Sequence, residues 1–508
     1  MSTESTANPA QQIAAGYAVE GQALELGAVV IDGNTTPAAQ IRIPLATVNR
    51  HGLVAGATGT GKTKTLQVIA EQLSAAGVPV LMADVKGDLS GLSRPGESND
   101  KITARAKESG DNWEPSAFPV DFLSLGTKGI GVPVRATIAS FGPILLSKVL
   151  GLNATQESTL GLIFHYADQQ NYELLDLKDL RAVIGKLTSD EGKADLKSLG
   201  GVSAQTAGVI LRALVNLEAE GADTFFGEPE LKPKDLLRFD DKGRGVISLL
   251  ELGAQAARPV LFSTFLMWVL SDLFKSLPEI GDVDKPKLVF FFDEAHLLFS
   301  DASKAFLEQV EQTVKLIRSR GVGVFFCTQL PTDVPNQVLS QLGARIQHAL
   351  RAFTPDDQQA LTKTVRTYPK TDVYDLASAL TSLGIGEAIV TVLSERGAPT
   401  PVAWTRLRSP RSLMAAIGDD AIGTAAKASP LQAVYGETKD RQSAYEKIEA
   451  EKAKAPAEQP AGKTAPEAAK KPGWFSRFVN SRGFQTFLKA LGTEIIRNMF
   501  GGGSKRRR

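Results

Sequence analysis

Along this chain the apolar and polar positions change period several times, and each change marks an element. Residues 1–20 are polar and Ala/Gln-rich, a loose arm with a short helix. Apolar runs at 24–31 and 41–45 flank Asp32-Gly33-Asn34, which predicts a hairpin turn. Residues 51–55 read as a short strand leading into a Gly/Thr-rich loop. Over 62–76, Leu66, Ile69, Ala70 and Leu73 recur at helical spacing, and Gly77 ends the helix. An apolar strand at 78–83 then delivers Asp84. Strand, glycine loop, helix and strand together open a parallel α/β sheet.

The pattern then pauses. Residues 85–241 hold a Gly/Asp-rich loop, a β pair (120–125 and 132–138) and several helices, one starting at the capping box Asn153-Ala-Thr-Gln156. Strands resume at 245–250, 287–293, 322–327 and 344–349, with helices at 260–277, 302–318 and 335–342 between them. Edge strands at 387–393 and 401–405 close the set. Near-continuous apolar strands alternating with helices predict an α/β fold, a doubly wound, mostly parallel sheet covered on both faces. The domain reading is an N-terminal arm and short β segment (1–45), an α/β core (46–84 and 242–410), a mainly helical insertion (85–241), a linker disordered in part (411–473) and an amphipathic basic tail (474–508). Residues 450–473, with eight Ala, four Pro and no aromatic residue, cannot offset the entropy of ordering.

Gly56-Ala57-Thr58-Gly59-Thr60-Gly61-Lys62-Thr63 matches G-x-x-x-x-G-K-[ST] between a strand and a helix, the context that pattern requires. Such glycines let backbone N–H groups turn inward around phosphates, and the helix that follows points its positive dipole end at them. Lys62 is assigned to the β- and γ-phosphates of ATP, Thr63 to Mg2+, and Thr65 is counted with the loop. The apolar strand at 288–292 delivers Asp293 and Glu294. Asp293 fits the Mg2+ shell and Glu294 the general base that takes a proton from the attacking water. Gln329, at the end of the next strand, fits a γ-phosphate sensor or a turn residue. Arg318 and Arg320 precede that strand, while Arg345 and Arg351 lie on and after the following one. An arginine far from its own phosphates can serve a neighbouring subunit's ATP; Arg320, Arg345 and Arg351 are the candidates, with a surface ion pair the alternative for each. Asp84 and Asp88 sit at a ligand-favoured strand end or are loop carboxylates. His296 contacts Glu294 or substrate, or simply packs. Asp293-Glu-Ala-His296 also occurs in two-lobed helicases, but the Q-x-x-G-R-x-G-R element of their second lobe is missing.

Composition narrows the rest. With one cysteine, Cys327, a disulfide framework and a cysteine-cluster zinc site are excluded; four histidines argue against a histidine-rich metal enzyme, and a reducing, cytoplasmic setting is expected. The most apolar segment, 260–270, is too short to span a bilayer. The net charge of +1 is unevenly spread. From Trp474 onward there are eight Lys and Arg against one Glu, so the other residues carry 49 basic against 55 acidic side chains. In the tail, Trp474, Phe475, Phe478, Val479, Phe484, Phe487, Leu488, Leu491, Ile495, Ile496, Met499 and Phe500 recur at three- and four-residue steps with arginines between them, two short amphipathic helices by pattern.

The glycine loop, Asp84-Val-Lys-Gly-Asp-Leu-Ser-Gly-Leu92, Phe292-Asp293-Glu-Ala-His296 and Arg318-Ser-Arg-Gly-Val-Gly with Thr328-Gln-Leu-Pro-Thr-Asp-Val-Pro335 resemble the bacterial HerA-like ATPases of the HerA/FtsK superfamily over residues 20–410. The resemblance implies a RecA-like core, a homo-hexameric ring, hydrolysis of ATP with Mg2+ and translocation or remodelling of double-stranded DNA, with a nuclease or other protein as a further partner. Only about 45 residues precede the loop strand, where archaeal members carry a sizeable β-barrel, so ring assembly and DNA handling are expected to differ. The other reading is an ATPase that acts on a protein or at a membrane surface, anchored through its tail.

Overall fold

The computed structural model describes residues 8–84, 87–192, 194–195, 202–252, 259–281 and 283–454. The end of the expected linker and the amphipathic tail, residues 455–508, lie outside these. Twelve strands form one sheet: β1 (Ala23–Ile31), β2 (Asn34–Pro44), β3 (Gly52–Ala55), β4 (Val80–Asp84), β5 (Val120–Leu125), β6 (Val132–Val134), β7 (Ile247–Glu251), β8 (Leu288–Phe292), β9 (Val322–Thr328), β10 (Ala344–Gln347), β11 (Glu387–Thr391) and β12 (Ala403–Leu407). Their order is β2-β1-β12-β11-β10-β3-β9-β8-β4-β7-β5-β6. From β10 to β6 every pairing is parallel, while β11, β12, β1 and β2 add on antiparallel.

Strands at the centre are buried on both faces, which is why they read as unbroken apolar runs. In β8, all of Leu288-Val-Phe-Phe-Phe292 is at most 1 % exposed, and its rings stack on β9 through Phe292 and Phe326 (5.3 Å). The helix Lys62–Ala75 covers one face with Leu66, Ile69, Ala70 and Leu73, the positions that spacing predicts. The helix Lys304–Ile317 buries Phe306, Val310, Val314 and Ile317 in the same way.

Four features depart from the sequence reading. Residues 411–454, expected as the start of a linker, carry the helices Asp419–Ala428, Gln432–Tyr435 and Ala444–Lys454, with Ile422 and Tyr435 buried. β11 and β12 are not edges, because the N-terminal hairpin docks β1 against β12. Short local runs cannot reveal a pairing between residues almost 380 apart. β5 and β6 extend the central sheet from within 85–241. The expected helix at 335–342 is a single turn, Asn336–Leu339.

The described residues divide into two compact units, one of 8–154 with 215–440 and one of 155–214 with 441–454. The first holds the whole sheet. In the second, the helix Ala444–Lys454 lies on the helix Leu177–Thr188. The buried Asp179 carboxylate fixes that pairing by accepting from the Ser443 hydroxyl and the Tyr445 amide (2.6 and 2.8 Å). No helix among the described residues is long and apolar enough to cross a membrane.

Candidate nucleotide site

The parallel strands β3, β9, β8 and β4 end along one line, so the loops leaving their carboxyl ends share an edge. Backbone hydrogen bonds lace those loops together. The Gly56 amide donates to Thr328 O (3.2 Å), Ala57 to Ala349 O (2.8 Å) and Ala295 to Cys327 O (2.8 Å). Two glycines show why the loop needs that residue type. A Cβ on Gly56 would sit 2.5 Å from the Cβ of His348. Gly59 has φ +81, and a Cβ there would meet nothing within 4 Å, so the tip turns left-handed beside open space.

Lys62 opens the helix and folds its ammonium back onto the loop, donating to Gly56 O (2.6 Å) and Ala57 O (3.2 Å). A cation held only by neutral carbonyls inside a ring of backbone is poised for an anion. Thr63 follows on the first turn. Thr65 bonds the ring of His348 (Oγ1 to Nε2, 2.9 Å) at the buried end of β10. Burial, reinforced by the nearby Lys62 charge, lowers the His348 pKa to about 4, so the ring is neutral. Its Nδ1 has no hydrogen-bond partner.

Asp293 leaves β8 and accepts from the Glu294 amide (2.9 Å). The buried Cys327 thiol also bonds to it. Burial, and then the adjacent Glu294 charge, raise the Asp293 pKa. Glu294 has φ +49, a left-handed backbone that is strained for a residue with a side chain. Its Oε2 makes no hydrogen bond and lies 3.4 Å from His296 Nδ1. Gln329 is exposed just past β9, where the Thr328 hydroxyl and the Leu330 amide both bond Asp333 and so shape the turn. Among the described residues no cluster of three or more His, Cys, Asp or Glu could hold a metal by itself. Thr63 and Asp293 therefore suit an ion that takes its other ligands from phosphate and water.

The arginines divide between edges. Arg351 reaches the loop tip of its own chain, donating to Thr58 O (3.4 Å). Arg318 and Arg320 precede β9 and lie at the opposite edge, about 20 Å away across that seven-residue strand, whereas Arg345 is the second residue of the four-residue β10, opposite Leu53 of β3 and about 10 Å along the strand from Gly56. Arg320 pairs with Glu279 (3.3 Å) and lies over the Phe274 ring. Arg345 donates to Thr367 O (3.1 Å) and, with Arg50, Lys315 and Arg318, lines a cleft of about 450 Å3 that has no acidic side chain in its wall.

Asp84 is given to its loop, accepting from Gly87 N and Leu89 N (2.7 Å each). Its register partner Glu251 is buried and pushed up to about 8, first by desolvation and then by Asp84. Sequence reasoning missed His348, Cys327 and the basic cleft. The signal for His348 was its place at the end of a strand that had already been recognised; the cleft assembles from segments nearly 350 residues apart and left no local mark.

The family model for the helicase HerA-like C-terminal region matches residues 30–501. The DNA double-strand break repair helicase HerA of Saccharolobus solfataricus is 24 % identical over 358 residues, 69 % of this chain and 63 % of that protein. The chain thus spans less than two thirds of that relative. Among solved structures, the bacterial conjugative coupling protein TrwB (N-terminally truncated, unbound) superposes with a TM-score of 0.50 at 15 % identity, covering 80 % of this chain and 94 % of its own. VirB4 of Thermoanaerobacter pseudethanolicus gives 0.49 at 16 % identity, covering 77 % and 98 %. The fold is the RecA-like one.

Proposed function

From membership of the helicase HerA-like C-terminal family, to which this chain belongs, we propose an ATP-hydrolysing motor that works as a homo-oligomeric ring, a hexamer, in the cytoplasm and translocates or remodels double-stranded DNA. One observation carries the reading. The phosphate loop, Asp293, Glu294 and Gln329 converge on one edge of the sheet, while Arg318 and Arg320, before β9, stand on the other. The length of β9 keeps those two arginines from the phosphates of their own copy, and stacking copies edge to edge brings them there.

The residues fit ATP and Mg2+. Lys62 exchanges its loop carbonyls for the β- and γ-phosphate oxygens, and the loop amides hold the remainder. Thr63 and Asp293 would hold the metal, which would supply charge neutralisation at the phosphates. Glu294, whose Oε2 is unpartnered, accepts the proton of the attacking water, and Gln329 orients that water. An arginine from the adjacent copy stabilises the charge on the transferring phosphoryl group.

A second reading, an ATPase acting on a protein or at a membrane surface, is favoured by the net acidity of everything before Trp474. Phosphate release measured with and without duplex DNA, and with anionic vesicles, across a salt series separates the two. DNA stimulation that collapses with salt supports the motor on DNA. Stimulation by vesicles alone supports the second reading, and no turnover under any condition sinks both.

A further inference from the structure

Phe353 is 85 % exposed and Ile385 74 %, more than any other large hydrophobic side chain among the described residues. Both flank the phosphate loop. Ile385 precedes Gly386, whose amide donates to Thr60 O (3.1 Å), and Phe353 lies two residues past Arg351, which donates to Thr58 O. Their backbones are pinned. Arg105 donates to Ile385 O (3.0 Å) and Gly386 O (2.9 Å), Leu407 N also donates to Gly386 O, and Asp357 accepts from the Phe353 amide (3.1 Å). Two rigidly held apolar side chains therefore project into water beside a site built for an anion.

Their side of the loop matters. Asp293, Glu294 and Gln329 lie toward β9 and β8, whereas Phe353 and Ile385 follow β10 and precede β11, beyond β3 in the other direction. A triphosphate laid along the loop with its γ end toward Glu294 carries its nucleoside end toward Phe353 and Ile385. We propose that Phe353 and Ile385 form the platform on which the base of a purine nucleoside triphosphate stacks. The proposal rests on the nucleotide reading above. The carbonyls of Ile385 and Gly386 and the Gly386 amide are already used inside the chain. Recognition is therefore by the face of the base and not by its hydrogen-bonding edge, so adenine and guanine are accepted alike.

The test titrates the full chain and its Phe353→Ala, Ile385→Ala and Phe353→Trp variants with ATP, GTP and inorganic tripolyphosphate, each with Mg2+, by calorimetry, with light scattering in parallel. Loss of one stacking partner weakens ATP and GTP about ten-fold in Phe353→Ala and about three-fold in Ile385→Ala. Tripolyphosphate affinity stays unchanged, Phe353→Trp keeps ATP affinity, and ATP and GTP agree within about three-fold. Unchanged ATP affinity in Phe353→Ala overturns the proposal, as does an equal loss for tripolyphosphate. A changed oligomer size with ATP affinity intact assigns the patch to a second copy instead. A wild-type chain that binds tripolyphosphate as tightly as ATP refutes the platform alone, and one that binds neither refutes the nucleotide reading with it.

Discussion

The two ends of the parallel strands carry opposite chemistry. At the carboxyl end stand Asp293, Glu294 and a glycine-rich loop whose Gly56 and Ala57 carbonyls hold the Lys62 ammonium; at the amino end Arg50, Lys315, Arg318 and Arg345 line a cleft with no acid in its wall. A buried neutral histidine marks each end, and the pair shows how differently the ends are built. At the amino end the His51 ring is saturated: Val324 N–H donates to Nδ1 (3.0 Å) and Nε2 donates to Val314 O (2.8 Å), which tie β3 to β9 and to the helix Lys304–Ile317. At the carboxyl end the His348 ring bonds the Thr65 hydroxyl and lies against the Thr60 and Glu387 backbone. Around His51 every ring nitrogen is satisfied, while beside the phosphate loop Glu294 Oε2 makes no hydrogen bond.

The comparison can be broken most directly at the carboxyl end. Glu294→Gln is expected to cut phosphate release by about 10^2- to 10^4-fold while calorimetry still registers ATP. Near-normal turnover would remove Glu294 from its role. Lys62→Ala is expected to lose both turnover and ATP affinity.

At the amino end, Arg345→Ala in every copy is expected to lower turnover by about 10^3-fold, with ATP affinity within two-fold of normal. Mixing inactive Arg345→Ala chains with inactive Lys62→Ala chains should restore part of the activity, because some interfaces pair an intact loop with an intact arginine. A fully active monomer by light scattering would end the two-edge account.

Much of this was legible in the chain. The glycine loop and Asp293-Glu294 are local signatures, and the buried strands are apolar runs that any window detects. The cleft was not legible, because Arg50, Arg318 and Arg345 become neighbours only when β3, β9 and β10 line up in register. The docking of β1 on β12 escaped for the same reason. The exposure of Phe353 escaped because its sequence neighbours do not differ from those of a buried aromatic.

The histidines sharpen the contrast in stability. His51→Ala strands Val324 N–H and Val314 C=O and is expected to cost about 2–4 kcal/mol by denaturant unfolding, whereas His348→Ala, with one bond lost, costs about 1–2 kcal/mol. Both rings titrate near 4 in the folded chain, against about 6.5 when unfolded. The unfolded chain therefore binds the extra protons, so this stability is full above about pH 6.5 and is lost as the pH falls toward 4, by roughly 1.4 kcal/mol per unit for each ring. Glu251, raised to about 8, runs the other way, its contribution being full below its ordinary carboxylate pKa and lost as the pH rises through 8. The histidine contribution is therefore read as the difference in pH slope between the wild type and His51→Ala. Equal slopes would mean that His51 is not held neutral.

The outer strands bear on how copies meet. β6 has three residues with Pro133 at its centre, so it offers a short border that lacks one amide. β2, at the far side, breaks register between its pairings of Thr36 and Gln40, in the stretch that holds Pro37, and Gln40 is tied to Ser109 at the end of the helix Asp100–Ser109. Neither border presents a long, straight row of free amides and carbonyls to a second chain. Growth of the sheet from one molecule into the next, the route to fibres, is thereby discouraged at both sides. The ring proposed above would then have to be built by side chains on the strand ends, where contact can be reversible and can answer to nucleotide.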